Sequence, residues 1–121
     1  MMAKHEFGIM KRAPSPGERY DTYEPERYGC ISVPDEDLEG LFADLRINVY
    51  WHTLDRPEKG LAYCGITLIP PDAVPSILAD IDGVEKLTPL KSLLLQARDE
   101  NRFVIHYGLL SLIHISEPTR L

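Results

Sequence analysis

Short apolar runs with period-two alternation recur along the chain, and stretches of helical spacing lie between them. YGCISV (residues 28–33), INVYWHTL (47–54), LAYCGITLI (61–69) and RFVIHYG (102–108) are rich in β-branched and aromatic residues and predict strands. Two of these runs open similar passages. Residues 28–45 can be laid on residues 63–81. Each passage begins with Tyr and a Cys/Gly pair, continues Ile, Ser or Thr and an aliphatic residue, reaches Pro-Asp, and ends Ala-Asp-Leu/Ile. The shared content is a strand, a proline-marked stop, and a helix with proline in its first turn. Asp35, Glu36 and Asp37 in one copy, and Asp72 in the other, sit where the helix dipole favours acids. Leu90, Leu93, Leu94 and Ala97 give a further helix one apolar face, with Thr88 as N-cap and Pro89 at its first position.

These elements sum to β-α-β-β-α-β, with the second helical segment broken near DGVEK (82–86), an α+β chain in the ferredoxin-like, split βαβ order. The expectation is a four-stranded antiparallel sheet with both helices on one face; the alternative is a different mixed α+β sheet that takes in the N-terminal strand. Right-handed crossovers place strands 28–33 and 61–69 side by side in the centre, with 47–54 and 102–108 at the edges. The other sheet face is left open. Residues 1–27 differ from the rest. KHEFGIM (4–10) has the makings of a short strand, whereas APSPGERYDTYEPERY (13–28) holds three prolines and three tyrosines without a period. This predicts an extended N-terminal arm, its tyrosines docked on a single domain that spans residues 28–109.

Composition narrows the classes. Hydrophobic residues make up 44% and charged residues 26%, as in ordinary globular chains. A net charge of −6 without clustered Lys or Arg excludes nucleic acid as an expected partner. No basic amphipathic helix predicts a membrane surface, and no run approaches the ~20 apolar residues that span a bilayer. Cys30 and Cys64 form no CxxC and have no His at ligand spacing. The reading is a reduced, cytoplasmic protein with two thiols and neither metal nor cofactor. P-loop, GxGxxG, GxSxG and HExxH motifs are all absent.

Candidate chemistry follows from strand alternation. Cys30 and Ser32 share the open face of their strand, and Tyr63, Gly65 and Thr67 share that of theirs; Cys64 then faces the helices with Ile66 and Leu68. These five open-face residues form the expected ligand or partner surface. Such a face needs a cover, from the arm, a second copy of the chain or a ligand. His52, with Asp55 three residues on, is the smallest general-base unit in the chain, and Cys30 is the thiol with the better claim to reactivity. His106 occupies the matching place in the second half, but on the predicted edges the two imidazoles stand roughly 14 Å apart, too far to share a metal. Trp51 is expected in the core.

Residues 110–121, LSLIHISEPTRL, resemble the in-frame translation of a transposase-type sequencing adaptor, and His114 is therefore not counted as a site. With KHEFGIM, RYDTYEPERYGCISV, HTLD and GLAYCGITLIPP in view, residues 4–108 resemble a family of small, uncharacterised bacterial proteins. The resemblance implies a free-standing bacterial protein and supplies no site residue. The expected function is a small non-catalytic binding or regulatory module, a homodimer acting through the open sheet face on a small-molecule or protein partner. The alternatives are a small enzyme using His52 and Asp55, with Cys30 assisting, and a partner-specific inhibitor of the immunity type.

Overall fold

The chain folds around one sheet with helices on one side and an arm on the other. The structure, a computed structural model, describes residues 4–38 and 46–109. Strand β1 (Lys4–Ile9) leads into the arm, which ends in a 3₁₀ turn (Pro25–Tyr28) before β2 (Ile31–Pro34). Helix α1 opens over residues 35–38. Strands β3 (Asn48–Trp51), β4 (Pro57–Lys59) and β5 (Ile66–Ile69) follow. Helices α2 (Val74–Ile81) and α3 (Thr88–Glu100) then precede β6 (Val104–Tyr107). Residues 110–121, the adaptor-like stretch, lie outside the described residues.

The ferredoxin-like, four-stranded expectation is corrected. The sheet has six strands in the order β2-β1-β6-β5-β3-β4, and every neighbouring pair is antiparallel. Strand β1 inserts between β2 and β6, so the strands expected side by side, β2 and β5, are separated by two others. Strand β6, expected at an edge, is central. The hairpin β3–β4 supplies one edge of the sheet, with Trp51 N–H bonded across its turn to the Arg56 carbonyl at 3.1 Å. The physical reason is β1 itself. Phe7 is fully buried on one face while Glu6 and Gly8 are buried on the other, so this strand cannot sit at an edge.

Alternation divides the apolar residues between two cores. Phe7, Val33, Val49, Ile69 and Val104 face the helices and meet Val74, Ile77 and Ile81 of α2 with Leu90, Leu94 and Ala97 of α3. Each fully buried Leu or Ile contributes about 1.5–3 kcal/mol. The α3 face expected from spacing is the buried one. Thr88, however, does not cap the helix; its hydroxyl donates to the Glu85 carbonyl at 2.7 Å. On the other face, Ile66, Leu68, Ile105 and Tyr107 pack with Met10 beneath Tyr20, Tyr23, Tyr28 and Cys30. The arm therefore lies where the sequence reading left an open surface, and the face assigned to self-association is covered.

Polar bonds hold the arm down. Tyr20 N–H donates to the His52 carbonyl at 2.7 Å, and Glu24 N–H to the Tyr107 hydroxyl at 3.3 Å. The Tyr23 hydroxyl donates to Glu6, a carboxylate buried on the sheet. Gly8 sets how closely the arm can approach. A Cβ there would lie 2.7 Å from the Cys30 Sγ and 2.8 Å from the Tyr28 carbonyl oxygen. Gly8→Ala is thus expected to cost about 1–3 kcal/mol by overpacking. Urea denaturation should show a lower midpoint, and limited trypsin digestion should show faster cutting at Arg12 and Arg19.

Candidate functional site

Two imidazoles stand on the helix-covered face at positions where the strand pattern otherwise places apolar groups. His5 shares strand parity with Phe7, and His106 with Val104. Because Phe7 pairs with His106 across β1 and β6, His5 is the diagonal neighbour of His106. His5 Nδ1 lies 2.9 Å from His106 Nε2, and neither residue is exposed at all. The rings stack with an interplanar angle of 15°.

The bonds continue at both ends. Thr67, opposite His106 on β5, places its Oγ1 3.2 Å from His106 Nδ1 and accepts the Ala62 N–H at 2.8 Å. Asp35, the first residue after β2, places Oδ1 2.7 Å from His5 Nε2. Its Oδ2 accepts the Tyr63 hydroxyl at 2.8 Å. Ala62 and Tyr63 are adjacent, so the bonds close into a ring: Asp35, His5, His106, Thr67, then the 62–63 backbone and Tyr63 back to Asp35. The ring is buried along the sheet and reaches solvent at Tyr63, which is 46% exposed. Among the described residues no buried side-chain nitrogen or oxygen lacks a hydrogen-bond partner. This is the condition for keeping such groups inside a core.

Burial sets the protonation. It lowers the His5 pKa, against the opposing pull of the Asp35 carboxylate. Complete burial puts His106 well below its ordinary value, and His5 pushes in the same direction. For Asp35, burial pushes upward, but the bonds from His5 and Tyr63 outweigh it and hold the group below its ordinary value. At neutral pH the ring holds two neutral imidazoles and one carboxylate. One set of donors fits: Thr67 O–H to His106 Nδ1, His106 Nε2–H to His5 Nδ1, and His5 Nε2–H to Asp35.

No family model, curated protein or solved structure matches this chain. The site therefore rests on its own geometry. Among the described residues, no group of three or more His, Cys, Asp or Glu is placed to hold a metal ion. No helix there is long and apolar enough to cross a membrane.

The sequence-predicted residues are dispersed. His52 pairs with Asp21 of the arm, its Nδ1 lying 2.8 Å from the carboxylate, rather than with Asp55. Asp55 is exposed and donates its own N–H to Thr53 Oγ1. His52 has φ +66°, a left-handed backbone that few non-glycine residues adopt. Its Nε2 faces the Ile66 N–H at 3.5 Å, and Gly65 leaves space for the ring. Both ring nitrogens thus have neighbours in the fold, and the residue ties the arm to the sheet. Cys30 packs beneath the arm, and burial pushes its thiol up to about 12, which disfavours the reactive thiolate. Ser32 is exposed, Thr67 is buried on the helix side, and Tyr63, Cys64 and Gly65 lie in the loop before β5. The five residues expected on one face do not share one.

Sequence reasoning missed His5 and Asp35. A signal existed: His5 and His106 share parity with buried apolar neighbours, which marks a polar residue in a core stripe. Asp35 read as a helix-dipole acid and is also a ring partner.

The arm creates one more feature. Where β1 runs into it, Met10, Lys11, Arg12, Tyr20, Arg27 and Tyr28 line a cleft of about 200 Å³. Arg102 fixes its root by donating to the Lys11 carbonyl at 2.6 Å. Arg27 lies 5.6 Å over the Tyr28 ring and 3.3 Å from Glu24, and Arg12 lies 3.5 Å from Glu18.

The ring makes stability depend on pH. Both histidines are neutral in the folded chain at neutral pH and take up protons later than in the unfolded chain, so the unfolded chain binds more protons as pH falls below about 6.5. Stability is expected to be full above that value and to fall below it by up to about 1.4 kcal/mol per pH unit per histidine. Asp35, held low in the folded state, adds a further loss only once pH falls through the carboxylate range. Denaturation midpoints across pH check this. His106→Phe, with His5 kept, should reduce the slope between about pH 5 and 6.5.

Proposed function

We propose that the chain is a small binding module whose ligand is a small anion held in the cleft between the arm and the sheet. The observation that carries this reading is the convergence of Lys11, Arg12 and Arg27 on one cleft in a chain of net charge −6. Against that background, three cations at one place concentrate a local field of opposite sign to the molecule. Arg12 and Arg27 offer forked N–H donors that suit carboxylate or phosphate oxygens. Their partners Glu18 and Glu24 are partly exposed, and such pairs are worth only about 0–1 kcal/mol, so an incoming anion can displace them. Tyr20 and Tyr28 add flat walls to one side of the cleft.

Other clefts are larger but less suited. One of about 410 Å³ between the sheet and α3 is lined by Ile9, Ile31, Leu93 and uncharged neighbours. Another of about 310 Å³ sets Arg46 against Asp72. Size and charge together favour the smaller cleft and a ligand smaller than the drug-sized molecules that fill pockets of roughly 300–1,000 Å³.

Isothermal titration calorimetry with inorganic phosphate, benzoate and their neutral analogue benzamide tests the reading. An anion should bind with a Kd in the millimolar range or tighter, benzamide should not, and added salt should weaken binding. Arg12→Ala or Arg27→Ala should each weaken binding about tenfold, the loss of one charge-assisted bond. Absence of heat with both anions, or affinity unchanged in both variants, would defeat the assignment.

A further inference from the structure

The buried ring has a property that follows from counting its protons, independent of the anion cleft on the opposite face. The short contact between His5 Nδ1 and His106 Nε2 accommodates one proton. None would set two lone pairs face to face, and two would set N–H against N–H. The contact between His5 Nε2 and Asp35 also holds one proton. Two neutral imidazoles fill these two places. A further proton on the imidazoles can enter only at the remaining nitrogen, His106 Nδ1, in the contact with Thr67 Oγ1.

That place is already filled by the Thr67 hydroxyl proton. An added proton on His106 Nδ1 forces the hydroxyl to turn and become an acceptor there. Thr67 is fully buried, and its oxygen already accepts the Ala62 N–H. Its oxygen then accepts from both His106 and Ala62 and no longer donates to His106, so the Ala62 bond loses the polarisation that this donation had lent it and weakens. Meanwhile the shared proton shifts from His106 to His5, which puts the positive charge beside the Asp35 carboxylate. The proton enters at one end of the imidazole pair and its charge settles at the other. The covalent framework is unchanged, and solvent supplies the single proton.

We propose that His5, His106 and Thr67 form one proton-binding site, and that taking up a proton loosens the loop at residues 62–65 through the Thr67–Ala62 bond. The loop carries exposed Tyr63 and Cys64, so uptake of a proton alters a surface from within. The facing groups allow it. From α1, Asp35 is bonded to His5; from the loop, Tyr63 is bonded to Asp35; from β2, apolar Val33 is opposite His5. Glu6, on the same strand as His5, turns to the other face and to Tyr23. Asp37 turns toward Lys86.

Nitrogen and carbon NMR of the imidazoles in the full chain, from about pH 8 to about pH 4, reads the site directly. The expected result is uptake of one proton by the pair with one shared midpoint below about 6.5. The Ala62 amide should shift with that midpoint, and its protection from hydrogen exchange, corrected for intrinsic rates, should drop about tenfold. Thr67→Ser should keep both responses. Thr67→Val should retain the imidazole titration, while the Ala62 amide no longer follows it. Two independent midpoints, two imidazoles neutral until the chain unfolds globally, or an Ala62 amide indifferent to uptake would each overturn the proposal.

Discussion

The rest of the structure depends on the insertion of β1 between β2 and β6. Hydrogen-bonded on both sides and covered on both faces, this strand buries every residue from His5 to Gly8, and each of them is committed to a neighbour. Phe7 enters the helix-side core. Gly8 supplies the gap into which Tyr28 and Cys30 close. His5 is brought diagonally against His106, and Met10 delivers the chain into the arm. Without this insertion neither the imidazole pair nor the arm-roofed cleft would exist.

The two faces of the sheet keep polar groups in different ways. On the helix side, the ring of Asp35, His5, His106, Thr67 and Tyr63 satisfies its members mutually, with neutral imidazoles in place of costly buried charge. On the arm side, a buried carboxylate, Glu6, is met by a tyrosine hydroxyl, and the tyrosine rings present their apolar bodies to the sheet. His52 ties the arm to the sheet just past the end of β3, where a left-handed backbone turns its imidazole toward Asp21 of the arm. Backbone conformations of this sort persist only where surrounding contacts over-determine them.

Two kinds of chemistry thus sit at opposite ends of β1. One is an exposed cluster of cations whose strength falls with salt. The other is an enclosed proton site whose state follows pH. The first lies past the end of β1 and the second on its other face, so each can be perturbed by substitution without passing through the other's contacts. The arm serves the first by roofing it, and the loop before β5 serves the second by closing its ring.

The segments with an unmistakable period were legible from residues alone. The α3 stripe of Leu90, Leu94 and Ala97, the helix after the Pro-Pro pair, the strands around Ile31, Val49 and Val104, and a tyrosine-rich arm all follow from local spacing and composition. Which strands meet was not legible, because ladder bonds join residues as far apart as Phe7 and His106 and leave no local trace. The face of β5 was misread for a related reason. Ile66 and Leu68 pack on the arm while Thr67 and Ile69 meet the helix side, and with both faces buried the alternation that would fix the direction is lost. The sequence by itself determined where the chain turns, coils and carries charge, since these depend on near neighbours. Tertiary structure alone decided that His5 meets His106, that Asp21 rather than Asp55 faces His52, and that the arm closes the sheet, because each is a contact between segments that only burial brings together.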